Sequence, residues 1–220
     1  ASQVELAEGK PVFVEGQEDN GFKVSVEDLE KARTSKTKAF ILNSPCNPTG
    51  AIYSPQELEK IGNWAVKHNI LIVADDIYGK LVYNGNVFTP IATLSEDIKK
   101  NTIVINGVSK SYAMTGWRIG YAMGDSKIIS QMTKIASQAT SNPTAVSQYA
   151  AIEALSGSQE QVETMRTVFE SRLNHLYERV SQLPGFTLEK PQGAFYLYPN
   201  IRKCLTLCGY ENVTTWVNDL

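Results

Sequence analysis

Little in this sequence favours a metal centre, a disulfide framework, a membrane or a nucleic acid. Its 220 residues include three cysteines (Cys46, Cys204, Cys208) and two histidines (His68, His175) that stand more than a hundred positions apart. An odd cysteine set with no CxxC pair points to neither a disulfide scaffold nor a zinc site. Apolar runs are short: Ile70 to Ala74 and Thr102 to Ile105 are strand-sized and far below a bilayer span. The amino end lacks the basic-then-apolar pattern of a secretory signal, so the cytoplasm is the expected compartment. Neither sign of charge dominates, with 21 Lys and Arg against 23 Asp and Glu, and no long basic stretch offers the footprint a nucleic acid needs. What remains, 42% hydrophobic and 20% charged, is the composition of a folded globular domain.

Patterning predicts an α/β protein with a mainly parallel sheet and flanking helices. Lys10 to Glu15, Thr37 to Asn43, Ile70 to Ala74 and Thr102 to Asn106 are β-branched-rich runs bounded by Gly, Pro, Asn or Asp, and read as buried strands. Between the second and third, Ser54-Pro55-Gln56-Glu57 is a capping box with Pro at the first helical position. Leu58, Ile61, Trp64 and Ala65 then form an apolar stripe, so a helix runs from about Pro55 to His68. Ser25 to Asp28 opens a shorter helix before the second strand. Strands alternating with helices make a parallel sheet, and ligands then bind at the carboxyl ends of its strands.

The second half is helical over Lys127 to Ala139, Ala145 to Leu155 and Gln159 to Gln182, with a stop at Leu183-Pro184-Gly185. Phe186 to Glu189 and Ala194 to Tyr198 read as strands of a second unit, and Asn200 to Leu220 as the start of another helix. That unit is too small to close a core by itself, and the chain is expected to be a piece of a longer protein.

Chemistry is expected in three segments at the predicted strand ends. Asn43-Ser44-Pro45-Cys46-Asn47-Pro48-Thr49-Gly50 holds the Asn47 amide in a loop stiffened by two prolines; taken alone it is a rigid turn. Asp75-Asp76-Ile77-Tyr78 puts acids just past an apolar run, which in isolation would be strand-end solvation. In Gly107 to Gly120 a lysine follows a buried strand and an arginine follows eight residues later; a lone lysine there would be an exposed charge.

Together and in this order, NPTG at Asn47 to Gly50, DxxY at Asp75 to Tyr78 and SKxxxMxGWRxG at Ser109 to Gly120 resemble the class I aminotransferases that use pyridoxal 5'-phosphate (PLP). The branch resembled contains the bacterial aspartate aminotransferases, and the likeness runs from Gln3 to Leu220. It implies part of a PLP-binding large domain at 1–158, a linking helix at 159–183, an incomplete small domain at 184–220, and a homodimer. Lys110 would form the Schiff base with PLP and move a proton, since an amine beside a cationic group can be deprotonated at working pH. Asp75 would pair with the pyridine nitrogen; its spacing to Tyr78 favours it over Asp76. Tyr78 and Asn47 would hydrogen-bond the cofactor's phenolate oxygen, while Ser109 and Arg118 would bind its phosphate, the arginine through a bidentate fork.

One position departs from the family pattern. Many members carry a phosphate-binding serine where this chain has Gly107. The family's substrate-carboxylate arginine, its ring-stacking aromatic and its second phosphate loop are not found in these residues. Cys46 reads as a small filler, Trp64 and Trp117 as packing groups, and His68 as a surface or capping residue. The implied reaction moves an amino group between an amino acid, aspartate being expected, and a 2-oxo acid, 2-oxoglutarate being expected. A carbon–sulfur lyase on the same fold, or a non-catalytic aminotransferase-like domain, are the alternatives. The lack of a basic patch weighs against a DNA-binding regulator.

Overall fold

A computed structural model describes all 220 residues. The chain opens with a short helix, α1 (Ser2–Leu6), and its next helix, α2 (Val26–Ala32), begins at the expected capping box, Ser25 and Asp28 each satisfying the other's backbone. Between them the predicted strand from Lys10 to Glu15 does not form. Pro11 removes a ladder donor, and of the three apolar residues only Val14 reaches the core, while Val12 and Phe13 stand exposed. A run that buries one side chain in three has no face to pin its register.

The sheet follows. Strand β1 (Ala39–Asn43) leads through α3 (Pro55–Lys67) to β2 (Leu71–Asp75), and a short α4 (Glu96–Lys100) precedes β3 (Thr102–Gly107). These three strands are parallel and adjacent, with Asn43 beside Asp75 and Asp75 beside Ile105 at their carboxyl ends. A fourth strand, β4 (Gly120–Met123), pairs antiparallel with β3. Only four residues long and starting on the last residue of the arginine motif, β4 has no periodicity to announce it. The observed order β1-β2-β3-β4 is a mainly parallel sheet with flanking helices, as expected.

One face of this sheet is well covered. Leu42, Ile72 and Ala74 pack against Leu58, Ile61, Trp64 and Ala65 of α3, with Ile91 and Ile98 closing the cluster. The capping box of α3 is complete, and His68 ends the helix, its backbone N–H bonding to the Trp64 carbonyl. Trp64 is a packing group that also donates to Glu30 at 2.8 Å, whereas Trp117 is 42% exposed and packs little. The opposite face is open at its β1 edge, where Ile41 is 61% exposed, while Ile103 in the same cross-strand row is buried.

Helices α5 (Ser126–Ala139), α6 (Ala145–Ser156) and α7 (Glu160–Val180) match the predicted spans closely. Leu173 of α7, with Met165 and Phe169 beside it, packs on Tyr78, Leu81, Tyr83 and Ala194 in a second, smaller cluster. The last forty residues depart from expectation. The two predicted strands reduce to isolated pairings, Thr187 with Asn200 and Val82 with Gly193. Ala194 sits at φ +60°, a left-handed turn that interrupts extended backbone. The predicted final helix divides into α8 (Arg202–Cys208) and α9 (Val213–Asn218), because Gly209 at φ +77° caps the first and the Asn212 side chain caps the second.

Candidate active site

The three motif segments meet where β1, β2 and β3 end. After β1, the loop holding Asn47 is closed on itself by Cys46 N–H to Ala51 O (3.0 Å) and Gly50 N–H to Cys46 O (2.8 Å). Gly50 stands at φ +71°, and a Cβ there would lie 2.6 Å from the Pro191 side chain, so glycine is required on both counts. Asn43 ties the loop to its neighbour: its amide donates to the Asp75 carbonyl at 3.1 Å and its side-chain oxygen accepts the Asn47 N–H at 2.8 Å.

Alternation along β2 separates the two adjacent acids. Ile72 and Ala74 turn under α3, so Asp75 turns with Val73 to the less covered face, where its Oδ1 accepts the Ile77 N–H at 3.2 Å. Asp76 faces the other way and is 6% exposed. Burial first, and the Asp75 charge second, push the Asp76 carboxyl up to about 7. The half-buried acid is the one that the spacing to Tyr78 singles out.

Tyr78 is buried, and its Oη lies 2.6 Å from the Oη of Tyr196. Burial, then the bond to Tyr196, hold this phenol well above the ordinary tyrosine range, with the Asn47 amide pulling the other way. The Lys110 Nζ stands 5.9 Å from the centre of the Tyr78 ring and 5.7 Å from that of Phe195, within reach of a cation–π attraction that steers the amine over these rings.

Ser109, Lys110 and Arg118 all lie in the connection from 108 to 119, which the Gly107–Gly120 pairing closes. Val108, fully buried, anchors its start. The Ser109 carbonyl accepts the Thr115 hydroxyl at 2.9 Å. Arg118, exposed and at φ +56°, turns its guanidinium back on its own loop and donates to Thr115 O at 3.0 Å. The structure therefore gathers Asn47, Tyr78 and Lys110 around one aromatic group with Asp75 at the adjoining strand end, and it leaves Arg118 unconnected to Ser109 by any hydrogen bond. Gly107, where a serine is common in the pattern resembled, has no room for a side chain: a Cβ would come 2.8 Å from the Ile119 carbonyl oxygen.

Three site residues were not singled out from sequence. Asn43 is the last residue of β1. Phe195 and Tyr196 come from the tail, inside the stretch Ala194 to Tyr198 that the sequence predicts only as a strand of the second unit. The signal was a small residue followed by two aromatics after a Pro-containing turn. Only the fold reveals that this stretch returns to the first two loops.

The family model described as aminotransferase class I and II matches residues 1–211. An asparagine–oxo-acid transaminase from Streptococcus mutans is 59% identical over 220 residues, all of this chain and 56% of the relative. An aspartate aminotransferase from Bacillus subtilis is 52% identical over 218 residues, 99% of this chain and 56% of the relative. Among solved structures, an aspartate aminotransferase from Rhizobium meliloti superposes with a TM-score of 0.88 at 38% identity, covering 91% of this chain and 50% of its own. An aromatic aminotransferase from Pyrococcus horikoshii gives 0.87 at 39% identity, covering 90% and 53%. The chain thus spans about half the length of the relatives it matches.

Proposed function

Because the chain belongs to the class I and II aminotransferases, we propose that it is the cofactor-holding portion of an enzyme that moves an amino group between aspartate and 2-oxoglutarate. The observation that carries this is the meeting of Lys110, Asp75, Tyr78 and Asn47 at the ends of three adjacent parallel strands. The family's cofactor is PLP, and the donor set suits it. A carboxylate is present for a protonated ring nitrogen, a phenol and an amide for an anionic ring oxygen, a primary amine for an aldehyde, and a hydroxyl with a guanidinium for a phosphate.

When bound, PLP supplies an electron sink for a carbanion at the substrate Cα. The chain's own groups do the rest. The Asp75 carboxylate keeps a positive charge opposite it, and an acceptor lone pair set beyond its bond to Ile77 is free for that purpose. Tyr78 and Asn47 donate to a developing oxygen anion. Lys110 carries the proton at Nζ between donor and acceptor atoms, general acid–base work of the kind that contributes roughly a hundred- to ten-thousandfold. Ser109 and Arg118 hold a phosphate dianion, Arg118 by turning from its bond with Thr115.

The domain division at 1–158, 159–183 and 184–220 and a homodimer belong to the same proposal. Open apolar faces on β1, α5 and α6 support burial against further protein. Three free cysteines agree with a reducing cytoplasm.

The full-length protein with PLP, aspartate and 2-oxoglutarate should form oxaloacetate. Pyruvate release from cystathionine without oxaloacetate would favour the lyase, and neither product a non-catalytic domain. The Streptococcus mutans relative favours one second reading, asparagine as amino donor. Comparing kcat/KM for aspartate and asparagine by the glutamate formed from 2-oxoglutarate, the product common to both donors, separates them.

A further inference from the structure

Resting on that reading of the site, the geometry around Tyr78 points to Tyr196 as a positioning residue that shares the Tyr78 hydrogen bond, so that the two phenols and Asn47 act as one donor unit. The segment bearing Tyr196 is fastened to both neighbouring loops at once. Gln192 N–H and Gly193 N–H both donate to Gly50 O at 3.0 Å, binding it to the loop of Asn47. Ala194 N–H donates to Leu81 O at 2.9 Å, and the Tyr83 hydroxyl donates to Ala194 O at 2.5 Å, binding it to the stretch after Tyr78. Tyr196 is thereby placed by main-chain bonds on either side.

Its ring sits in an aromatic group, 4.9 Å from Phe195 and 5.9 Å from Tyr78 between centroids. A phenylalanine would fill that space equally well. The hydroxyl is the distinctive part, and it is spent on the Tyr78 Oη at 2.6 Å, with the Asn47 amide donating to it at 3.4 Å. Two phenols own two protons, and their mutual bond uses one. The other remains to face the site, and donors stacked behind a hydroxyl polarise it further. Removing Tyr196 Oη therefore changes what Tyr78 can donate or accept without removing any group that needs to touch a ligand itself.

The test is a double-mutant cycle in the full-length protein: wild type, Tyr78→Phe, Tyr196→Phe and the pair. With PLP added, the pH midpoint of the visible absorption band should move by roughly half to one pH unit in Tyr196→Phe, the size of one hydrogen bond. With Tyr78 already phenylalanine, the Tyr196 change should add nothing. Equal displacement in both backgrounds, or none in either, would overturn the inference. A second arm needs no cofactor. The tyrosinate absorbance of Tyr78, isolated as the difference between proteins with and without it, should titrate roughly half a unit or more apart when Tyr196 is and is not present. Superimposable titrations contradict the unit. If the wild type binds no PLP at all, the reading of the site fails, and this second arm still decides the pairing.

Discussion

Asp75 and Asp76 are adjacent in sequence and opposite in circumstance, which makes them the sharpest residue-scale test of the site. Leaving a cation without its buried partner costs on the order of 3 to 5 kcal/mol. Asp75→Ala in the full-length protein should therefore lower turnover by roughly a hundredfold or more, and Asp76→Ala by far less. The reverse ranking, in steady-state assays, would transfer the role to Asp76. Asp76 carries its own signature in stability. Its carboxyl rises from 3.8 to about 7 on folding, burial being the main cause, with Asp75 adding repulsion and Tyr121 close by. The folded state thus holds this proton more tightly than the unfolded chain. The associated stability is complete below pH 4 and is lost as the pH climbs to about 7. Asp76→Asn should remove that loss, so that in the cofactor-free protein the variant gains on wild type by up to about 4 kcal/mol between pH 4 and 8. Urea unfolding at several pH values checks this, and parallel curves for the two proteins would refute it. Asn47, Asp75, Tyr78 and Lys110 were legible because each lies in a short motif at a strand end. Tyr196, Phe195 and Asn43 were not, because their importance is a matter of long-range pairing that no local pattern encodes.

At the scale of elements, legibility followed from whether the start signal and the buried face agreed. Helices α2 and α3 have reciprocal side-chain caps and an apolar stripe, and both begin where the capping boxes placed them. Ser54→Ala should cost about 1 kcal/mol, read as a lower urea midpoint with unchanged slope. Lys10 to Glu15 had β-branched composition without a partner strand, and composition lost to the lack of a ladder. Four-residue β4 and the kinked tail at Ala194 are set by tertiary bonds to β3, Gly50 and Leu81, so their sequences look like loops. Gly50 joins the Asn47 loop to that tail, its carbonyl accepting from Gln192 and Gly193. Gly50→Ala meets both a positive φ and the Pro191 side chain, and it should destabilise by at least about 1 to 2 kcal/mol. Thermal or urea unfolding measures it, and a neutral result would mean that the tail does not dock on this loop.

The whole molecule is lopsided. One face of the sheet is packed under α3, while Ile41, Ile135, Val146 and Tyr149 leave apolar surface open on the other side and along α5 and α6, Tyr149 being 75% exposed. Surfaces of this kind seek a partner. The 220 residues by themselves should therefore associate or aggregate. Light scattering on the 220-residue chain tests this, and a stable monomer at high concentration would contradict it.

Under the proposed function, Lys110, held over Tyr78 and Phe195, is the amine that joins PLP. Borohydride reduction of the full-length protein loaded with PLP, followed by proteolysis and mass mapping, should place the pyridoxyl group on the peptide containing Lys110. The same label on Lys80 or Lys127, with Lys110 unmodified, would contradict it.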